Sequence, residues 1–217
     1  MAEFKPGPQT KIKRIPERGS YEKESIYQIL DEALICHVGI VQDGAPIVIP
    51  TIHARIGDQL VLHGAPASRL LKYIAGGNPV CVTVTLLDGL VLARSTFHHS
   101  MNYRSVVLMG SGKLVDDPQE KARFLDALVE HIIPGRSKEA RGANEKELKA
   151  TTVVSIPIEE ASAKVRTGPP VDDEEDYSIS VWAGVLPLKI SAEAPVPDSG
   201  LVDGVQVPDY VSEYQRS

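Results

Sequence analysis

Residues 34–54 read Leu34-Ile35-Cys36-His37-Val38-Gly39-Ile40-Val41-Gln42-Asp43-Gly44-Ala45-Pro46-Ile47-Val48-Ile49-Pro50-Thr51-Ile52-His53-Ala54. Two runs rich in β-branched residues, 34–41 and 45–54, flank the turn Gln42-Asp43-Gly44. Branching at Cβ stiffens χ1 and suits a pleated, half-buried surface, so both runs read as strands. Asp-Gly tolerates the positive φ angles of a tight hairpin turn, which makes the two strands antiparallel neighbours. A second turn at Ile56-Gly57-Asp58 leads into 59–63, so a third strand extends the sheet as a meander.

Working outward from this meander, Ser20 is placed to cap a helix over 21–33 whose Ile26, Ile29, Leu30 and Ala33 share one face. Downstream, residues 64–67 break the strand. Ser68 then caps a short helix, 69–74, which Gly76-Gly77 ends. Strand signals return at 79–87 and 90–93, with a second Asp-Gly turn expected at Asp88-Gly89. Residues 104–114 predict a long strand bent at Gly110 and Gly112. Asp116-Asp117-Pro118 opens the clearest helix, with Ala122, Phe124, Leu125, Leu128, Val129 and Ile132 on its apolar face and Pro134-Gly135 as its stop. A loop over 135–144, a weak helical turn at 145–150, and strands at 151–158 and 162–167 follow. Beyond Gly168 come Pro169-Pro170, the acidic run 172–176, an apolar stretch with Trp182, and a proline-rich tail expected to wrap the surface. Trp182 is expected to anchor that tail.

Short strands with tight turns and few, separate helices predict a mostly β (α+β) chain. The expected architecture is an antiparallel β-barrel of six to eight strands with peripheral helices. The expected divisions are a flexible N-terminus, 1–13, a barrel, 14–168, and an extension, 169–217, packing on the barrel or on a partner.

Composition bounds the function. The 217 residues are 42% hydrophobic and 24% charged, with a net charge of −6, and no apolar run nears the roughly 20 residues of a membrane helix. The acidic balance disfavours a general nucleic-acid surface but leaves room for a local basic pocket. The polar segment 1–13 lacks the apolar core of a secretory signal, so a cytoplasmic protein is expected. Cys36 and Cys81 lie in strand-like runs without metal-ligand spacing and read as buried free thiols.

Two stretches concentrate chemistry. Residues 94–105 hold Arg94, Arg104, His98, His99 and several neutral donors between two strands, which suits a polar or anionic ligand. At the corner after 59–63, Ser68, Arg69 and Lys72 offer a hydroxyl and two cations for a phosphate; solvated surface charges are the plain alternative. Phosphate-binding glycine loops, a serine-hydrolase elbow and a metal site around His98 and His99 find no support in the spacing. His37 and His53 read as hydrogen-bonded histidines of the core or rim.

The order of Arg14-Ile15-Pro16, Tyr21, Pro50-Thr51, Leu62-His63-Gly64, Ser68-Arg69-Leu70-Leu71-Lys72 and Asn102-Tyr103-Arg104-Ser105-Val106 resembles the pyridoxamine 5'-phosphate oxidase-like flavin-binding split barrels. Within that family the nearest branch is the nitroimidazole-reductase-related flavin-nucleotide-binding proteins, and the resemblance covers about 13–168. It implies a split barrel and a homodimer with FMN at each subunit interface. His63, Gly64, Ser68, Arg69 and Lys72 would then meet the phosphate, and Pro50, Thr51 and Ile52 the polar edge of the ring. Tyr103, Arg104 and Ser105 would form a second contact segment. The implied activity is an FMN-dependent oxidoreductase acting on a small molecule, with flavin carrying hydride or electrons. His98 or His99 would serve as proton donor or substrate contact. The acidic, proline-rich C-terminal part does not carry the arginine-histidine pattern of a pyridoxal-phosphate site, so vitamin B6 oxidation is not expected. A flavin-binding or storage module without turnover, and a haem-binding relative with an axial histidine, are the alternatives.

Overall fold

In the computed structural model, which describes residues 2–216, Asp43 and Gly44 take φ angles of 52° and 77°. Two successive positive φ values belong to the turn whose twist matches paired strands. The hairpin they close runs from Ile35↔Ile52 to Gln42↔Ala45.

In chain order, a 3-10 turn at Pro16–Arg18 precedes β1 (Gly19–Ser20), α1 (Lys23–Glu32), β2 (Ile35–Gln42), β3 (Ala45–Ile52), β4 (Ala54–Ile56), β5 (Gln59–Gly64), α2 (Arg69–Ala75) and β6 (Pro79–Leu92). A 3-10 turn at Thr96–His98 leads to β7 (Ser100–Ser111), β8 (Lys113–Leu114), α3 (Pro118–Ile132), α4 (Glu145–Ala150), β9 (Thr152–Pro157) and β10 (Glu160–Arg166). The C-terminal part adds a 3-10 turn at Glu174–Ser178, β11 (Gly184–Pro187) and α5 (Asp209–Ser212). One sheet has the order β1-β10-β7-β6-β2-β3 with β11 also on β6; the other has the order β4-β5-β9-β8, and every pairing is antiparallel. The sheets do not close on each other, which is the expected mostly β split barrel with peripheral helices.

Alternation sorts the larger sheet into two faces. Cys36, Val38, Ile40, Val82, Val84, Val106, Leu108, Ala161 and Ala163 point inward and join Ile26, Ile29 and Leu30 of α1 and Leu70, Leu71 and Ile74 of α2 in the main core. A second cluster packs Phe124 and Leu128 of α3 on Val61 and Val153. Capping follows the sequence at two of three helices. Ser68 and Asp117 accept hydrogen bonds from Leu71 and Glu120 N–H, whereas α1 starts at Lys23 and Ser20 Oγ instead accepts from Glu22 N–H.

The expected turn at Asp88-Gly89 is replaced by one continuous 14-residue strand, β6, with a register slip opposite β7 between Leu87 and Gly89. The slip is a bulge. Arg104 holds the Asp88 carboxylate, and a Cβ on Gly89 would stand 3.1 Å from the Leu186 carbonyl of β11, so contacts from distant chain keep the strand continuous through the bulge.

The extension does follow the surface. β11 pairs along Leu92 to Gly89, and the end of the chain is fixed by Tyr214, which donates to the Ile132 carbonyl, and by Arg216. Arg216 donates to the carbonyls of Asp31, Glu32 and His131, capping the C-termini of α1 and α3. Trp182 does not anchor the tail: it is 65% exposed, and its ring lies beside Gly184.

Candidate flavin face and phosphate corner

At the end of β5, His63 and Gly64 pair with Val153 and Thr152, and the chain then turns through 65–68 into α2. His63 is half-buried; its Nδ1 is enclosed and lacks a hydrogen-bond partner, and burial lowers its pKa. Arg69 and Lys72 are exposed and form no ion pair among the described residues. Ser68 Oγ is occupied by its cap to Leu71 N–H. This corner therefore holds two cations without an ion pair among the described residues, which fits a phosphate, with the half-buried His63 beside them.

The other expected contact residues divide by alternation. Pro50 pairs with His37, His37 with Thr83, Thr83 with Val107, and Val107 with Ser162, so these residues form one row on the outer face of the larger sheet. Ile52, Ser105 and Tyr103 lie on the same face, with Ser105 opposite Thr85 and Tyr103 opposite Arg166. The result is an open, flat surface with apolar and polar positions mixed. His37, expected in the core or rim, is exposed on it, and Cys81 is half-buried there rather than buried. Cys36, by contrast, is fully enclosed in the core, and burial pushes its thiol up to about 12.

Thr51 and Arg104 turn to the opposite side. The Arg104 guanidinium is held between Glu32 and Asp88, two carboxylates of its own chain, which raise its pKa further. It stands beside a cleft of about 410 Å³ lined by Leu34, Leu87, Leu188, Ile190 and Tyr214. Within one chain, Pro50, Thr51, Ile52, Tyr103, Arg104 and Ser105 belong to the larger sheet, while His63, Gly64, Ser68, Arg69 and Lys72 belong to the smaller sheet and α2. No hydrogen bond joins the two groups among the described residues.

The segment 94–99 is clasped to the extension. Asp172, almost fully enclosed, accepts hydrogen bonds from Arg94 N–H, the Arg94 guanidinium and Ser95 N–H, and the same guanidinium lies 4.8 Å from the Tyr177 ring centroid. His98 and His99 do not point into a shared pocket. His98 Nε2 meets Asp173 at 3.2 Å, and His99 Nδ1 meets the Ser95 carbonyl at 2.9 Å.

Three features escaped the sequence. Arg166 is buried without a carboxylate partner among the described residues: it donates to the Asn102 side chain and to the Gly168 and Pro169 carbonyls, and its Nε has no partner among them. His98, Asp173 and Asp176 bring ligand atoms within 4.8 Å of one another, across a sequence gap that spacing rules do not scan. His53 and His131 pack with ring centroids 5.0 Å apart and planes tilted by 49°, with Nε2 of each on a carbonyl at the end of α1, Leu30 for His53 and Ala33 for His131. Burial lowers the His53 pKa to about 4 and depresses that of His131 as well. Among the described residues no helix is long and apolar enough to cross a membrane.

Comparison with known proteins bears on the family and the fold. Among curated proteins no relative is found. The solved flavocytochrome Anf3 from Azotobacter vinelandii is 41% identical over 98% of this chain and 99% of its own, with a TM-score of 0.91. The FAD and haem binding protein from Mycobacterium smegmatis is 37% identical over 90% of this chain and 96% of its own, with a TM-score of 0.86. A candidate 5-nitroimidazole antibiotic resistance protein from Bacteroides thetaiotaomicron is 26% identical over 68% of this chain and 86% of its own, with a TM-score of 0.58. The family model for pyridoxamine 5'-phosphate oxidase matches residues 22–165, which run from the start of α1 into β10 and include every residue expected from the sequence to contact flavin. The split barrel, the order of its motifs and this match agree: the chain belongs to the pyridoxamine 5'-phosphate oxidase family.

Proposed function

We propose that this protein is a flavin-binding oxidoreductase, in which Arg69, Lys72, His63 and Gly64 hold the flavin phosphate and the outer face of the larger sheet supports the ring. The observation that carries this reading is the corner after β5, where Arg69 and Lys72 are exposed and have no carboxylate partner among the described residues. A dianion supplies a charge-assisted partner for both cations. A bound flavin supplies hydride or electron transfer; the residues of the chain bind, orient and shield. Pro50 and Ile52 present a flat apolar edge, while Ser105 and Tyr103 offer hydroxyls on the same face.

The flavin is FMN by the family resemblance. The Mycobacterium smegmatis relative is named for FAD, which carries the same phosphate next to its ribityl chain. The working unit is a homodimer, because Ile35, Val41, Val48 and Ile52 leave an apolar stripe uncovered along β2 and β3, and a second copy meeting it face to face would bury both stripes. A small molecule then reaches the flavin in a cytoplasmic setting.

The names of two relatives that share 37% and 41% identity over at least 90% of this chain favour a second, compatible reading, in which a haem is bound beside the flavin. Absorbance of the purified full-length protein tests both: flavin bands support the first reading, a Soret band the second, and chromatography of the released flavin separates FMN from FAD. Anaerobic addition of NADH or NADPH distinguishes turnover from storage. A colourless protein that takes up neither FMN nor FAD would sink the flavin assignment.

A further inference from the structure

We propose that His98, Asp173 and Asp176 form a binding site for a divalent first-row transition-metal ion, built between the barrel and its C-terminal extension. One imidazole nitrogen and one carboxylate oxygen from each aspartate lie within 4.8 Å of one another. His98 Nε2 and Asp173 Oδ2 are 3.2 Å apart. Nitrogen and oxygen ligands at about 2.0–2.2 Å from one ion stand roughly 3–4.4 Å from each other, so small rotations of the two aspartate side chains close the set on a metal.

Two short turns and the clasp between them set this arrangement. Asp173 precedes the 3-10 turn Glu174–Ser178, and the Asp176 N–H donates to the Asp173 carbonyl at 3.0 Å. Side chains three residues apart eclipse in such a turn, which puts both carboxylates on one side. His98 ends the turn Thr96–His98, closed by its own N–H on the Ser95 carbonyl. Asp172 ties the two turns together, accepting from the Arg94 and Ser95 N–H groups and from the Arg94 guanidinium. The Phe97 ring meets the His98 imidazole edge-on, with centroids 5.1 Å apart. The backbone carrying the ligands is therefore fixed without the ion, and little ordering is left for the ion to impose.

Charge balance points the same way. Arg94 neutralises Asp172, but among the described residues no lysine or arginine pairs with Asp173, Glu174, Glu175 or Asp176. A hydrogen bond from His98 accounts for Asp173 alone. Asp176 is half-buried, and its carboxylate has no hydrogen-bond or ion-pair partner among the described residues; a shared ion supplies one. Two carboxylates and a neutral imidazole around a divalent ion leave no net charge. The imidazole also selects the metal, since Mg2+ and Ca2+ favour oxygen shells whereas Fe2+, Co2+ and Zn2+ take nitrogen readily. With the Asp173 side chain 72% exposed, the solvent side stays open, and exchangeable water completes the shell.

The test uses the full-length protein, freed of metals by chelator and without an affinity tag. Isothermal titration with Zn2+ and Co2+, and the visible spectrum of the Co2+ form, are read for wild type, His98→Gln, Asp176→Asn and His99→Gln, with flavin content as the check on folding. Wild type is expected to bind one ion per chain, with Zn2+ displacing Co2+ and a large excess of Mg2+ displacing neither. Losing even an outer partner of a metal ligand costs 10- to 100-fold in affinity, so His98→Gln and Asp176→Asn should each weaken binding by at least about 10-fold. His99→Gln should bind as wild type does, and flavin content should stay constant throughout. Failure of wild type to bind either metal would overturn the site. So would an affinity unchanged in His98→Gln, a loss that follows His99 instead, or displacement by Mg2+ as readily as by Zn2+, the mark of a loose counter-ion on an acidic run.

Discussion

Replacing Arg69 with alanine separates flavin binding from folding unusually cleanly. Arg69 is the first residue of α2, is exposed and has no ion-pair partner among the described residues. A cation at the positive end of a helix is locally unfavourable by about 0.3–1 kcal/mol, so its removal should leave the fold as stable as before or slightly more so. The cap survives, because it depends on Ser68 Oγ and Leu71 N–H, and Leu70, Leu71 and Ile74 keep α2 on the core. Against this neutral background, a guanidinium on a phosphate contributes about 1.5–3 kcal/mol through charge-assisted hydrogen bonds. The expected weakening is roughly 10- to 150-fold in the flavin Kd. Lys72 remains one turn away as a second cation, which places the single variant inside this range and makes the double variant Arg69→Ala/Lys72→Ala weaker still. Fluorescence titration of apoprotein with FMN, at two salt concentrations, measures the Kd and its ionic component. The salt dependence should shrink in each variant. A Kd within twofold of wild type, with an unchanged unfolding midpoint, would refute the phosphate corner.

The other predictions concern pH, packing and assembly. His53 is completely buried, with a pKa lowered from 6.5 to about 4, so the unfolded chain binds a proton that the folded chain refuses across that window. Stability should therefore fall as pH drops from 6.5 towards 4, by about 3 kcal/mol from this residue alone, and His53→Gln should flatten the slope in urea titrations. A steeper or unaltered slope in that variant would contradict the assignment. Gly112→Ala puts a Cβ 2.3 Å from Ile74 Cγ2 and 2.9 Å from the Ser155 carbonyl, and should lower the unfolding free energy by about 1–3 kcal/mol, measured by denaturant titration. Val48→Asp lies on the 63%-exposed outer position of β3, so it should leave the monomer fold intact while weakening the dimer by about 1–3 kcal/mol in sedimentation equilibrium. An unchanged dimer would move the interface elsewhere.

The parts of the fold legible in the sequence are those decided within a few residues. Asp43-Gly44 makes its turn because both residues reach positive φ cheaply, and the caps at Ser68 and Asp117 need only a hydroxyl or carboxylate three residues before an N–H. Asp88-Gly89 has the same dipeptide yet stays extended, because Arg104, 16 residues on, holds the aspartate and β11, nearly a hundred residues on, packs over the glycine. Local signals carry no information about either partner. The same limit governs the site. Tyr103-Arg104-Ser105 reads as one contact segment, but a strand sends alternate side chains to opposite faces, and the two carboxylates that take Arg104 lie on other elements. His98 and His99 were legible as a chemical concentration; the tautomer of His99 and the Asp172 clasp beneath it were not, since both depend on backbone geometry and on the extension.

The extension alters what the barrel can bind. Residues 22–165, which the family model matches, contain the outer face of the larger sheet and the proposed phosphate corner. Adding β11 to the edge segment of β6 converts Leu90 from a peripheral residue into the middle of an apolar stripe, and the acidic run contributes Asp172, which fixes Ser95 and through it His99. Fixing the chain end by Arg216 on the C-termini of α1 and α3 holds the far side of the same segment, so residues 188–208 span between two anchored ends. A tail without function would not need anchoring at both ends, with Ile190, Val196 and Val202 left facing outward between them. Those apolar side chains have the character of an interface.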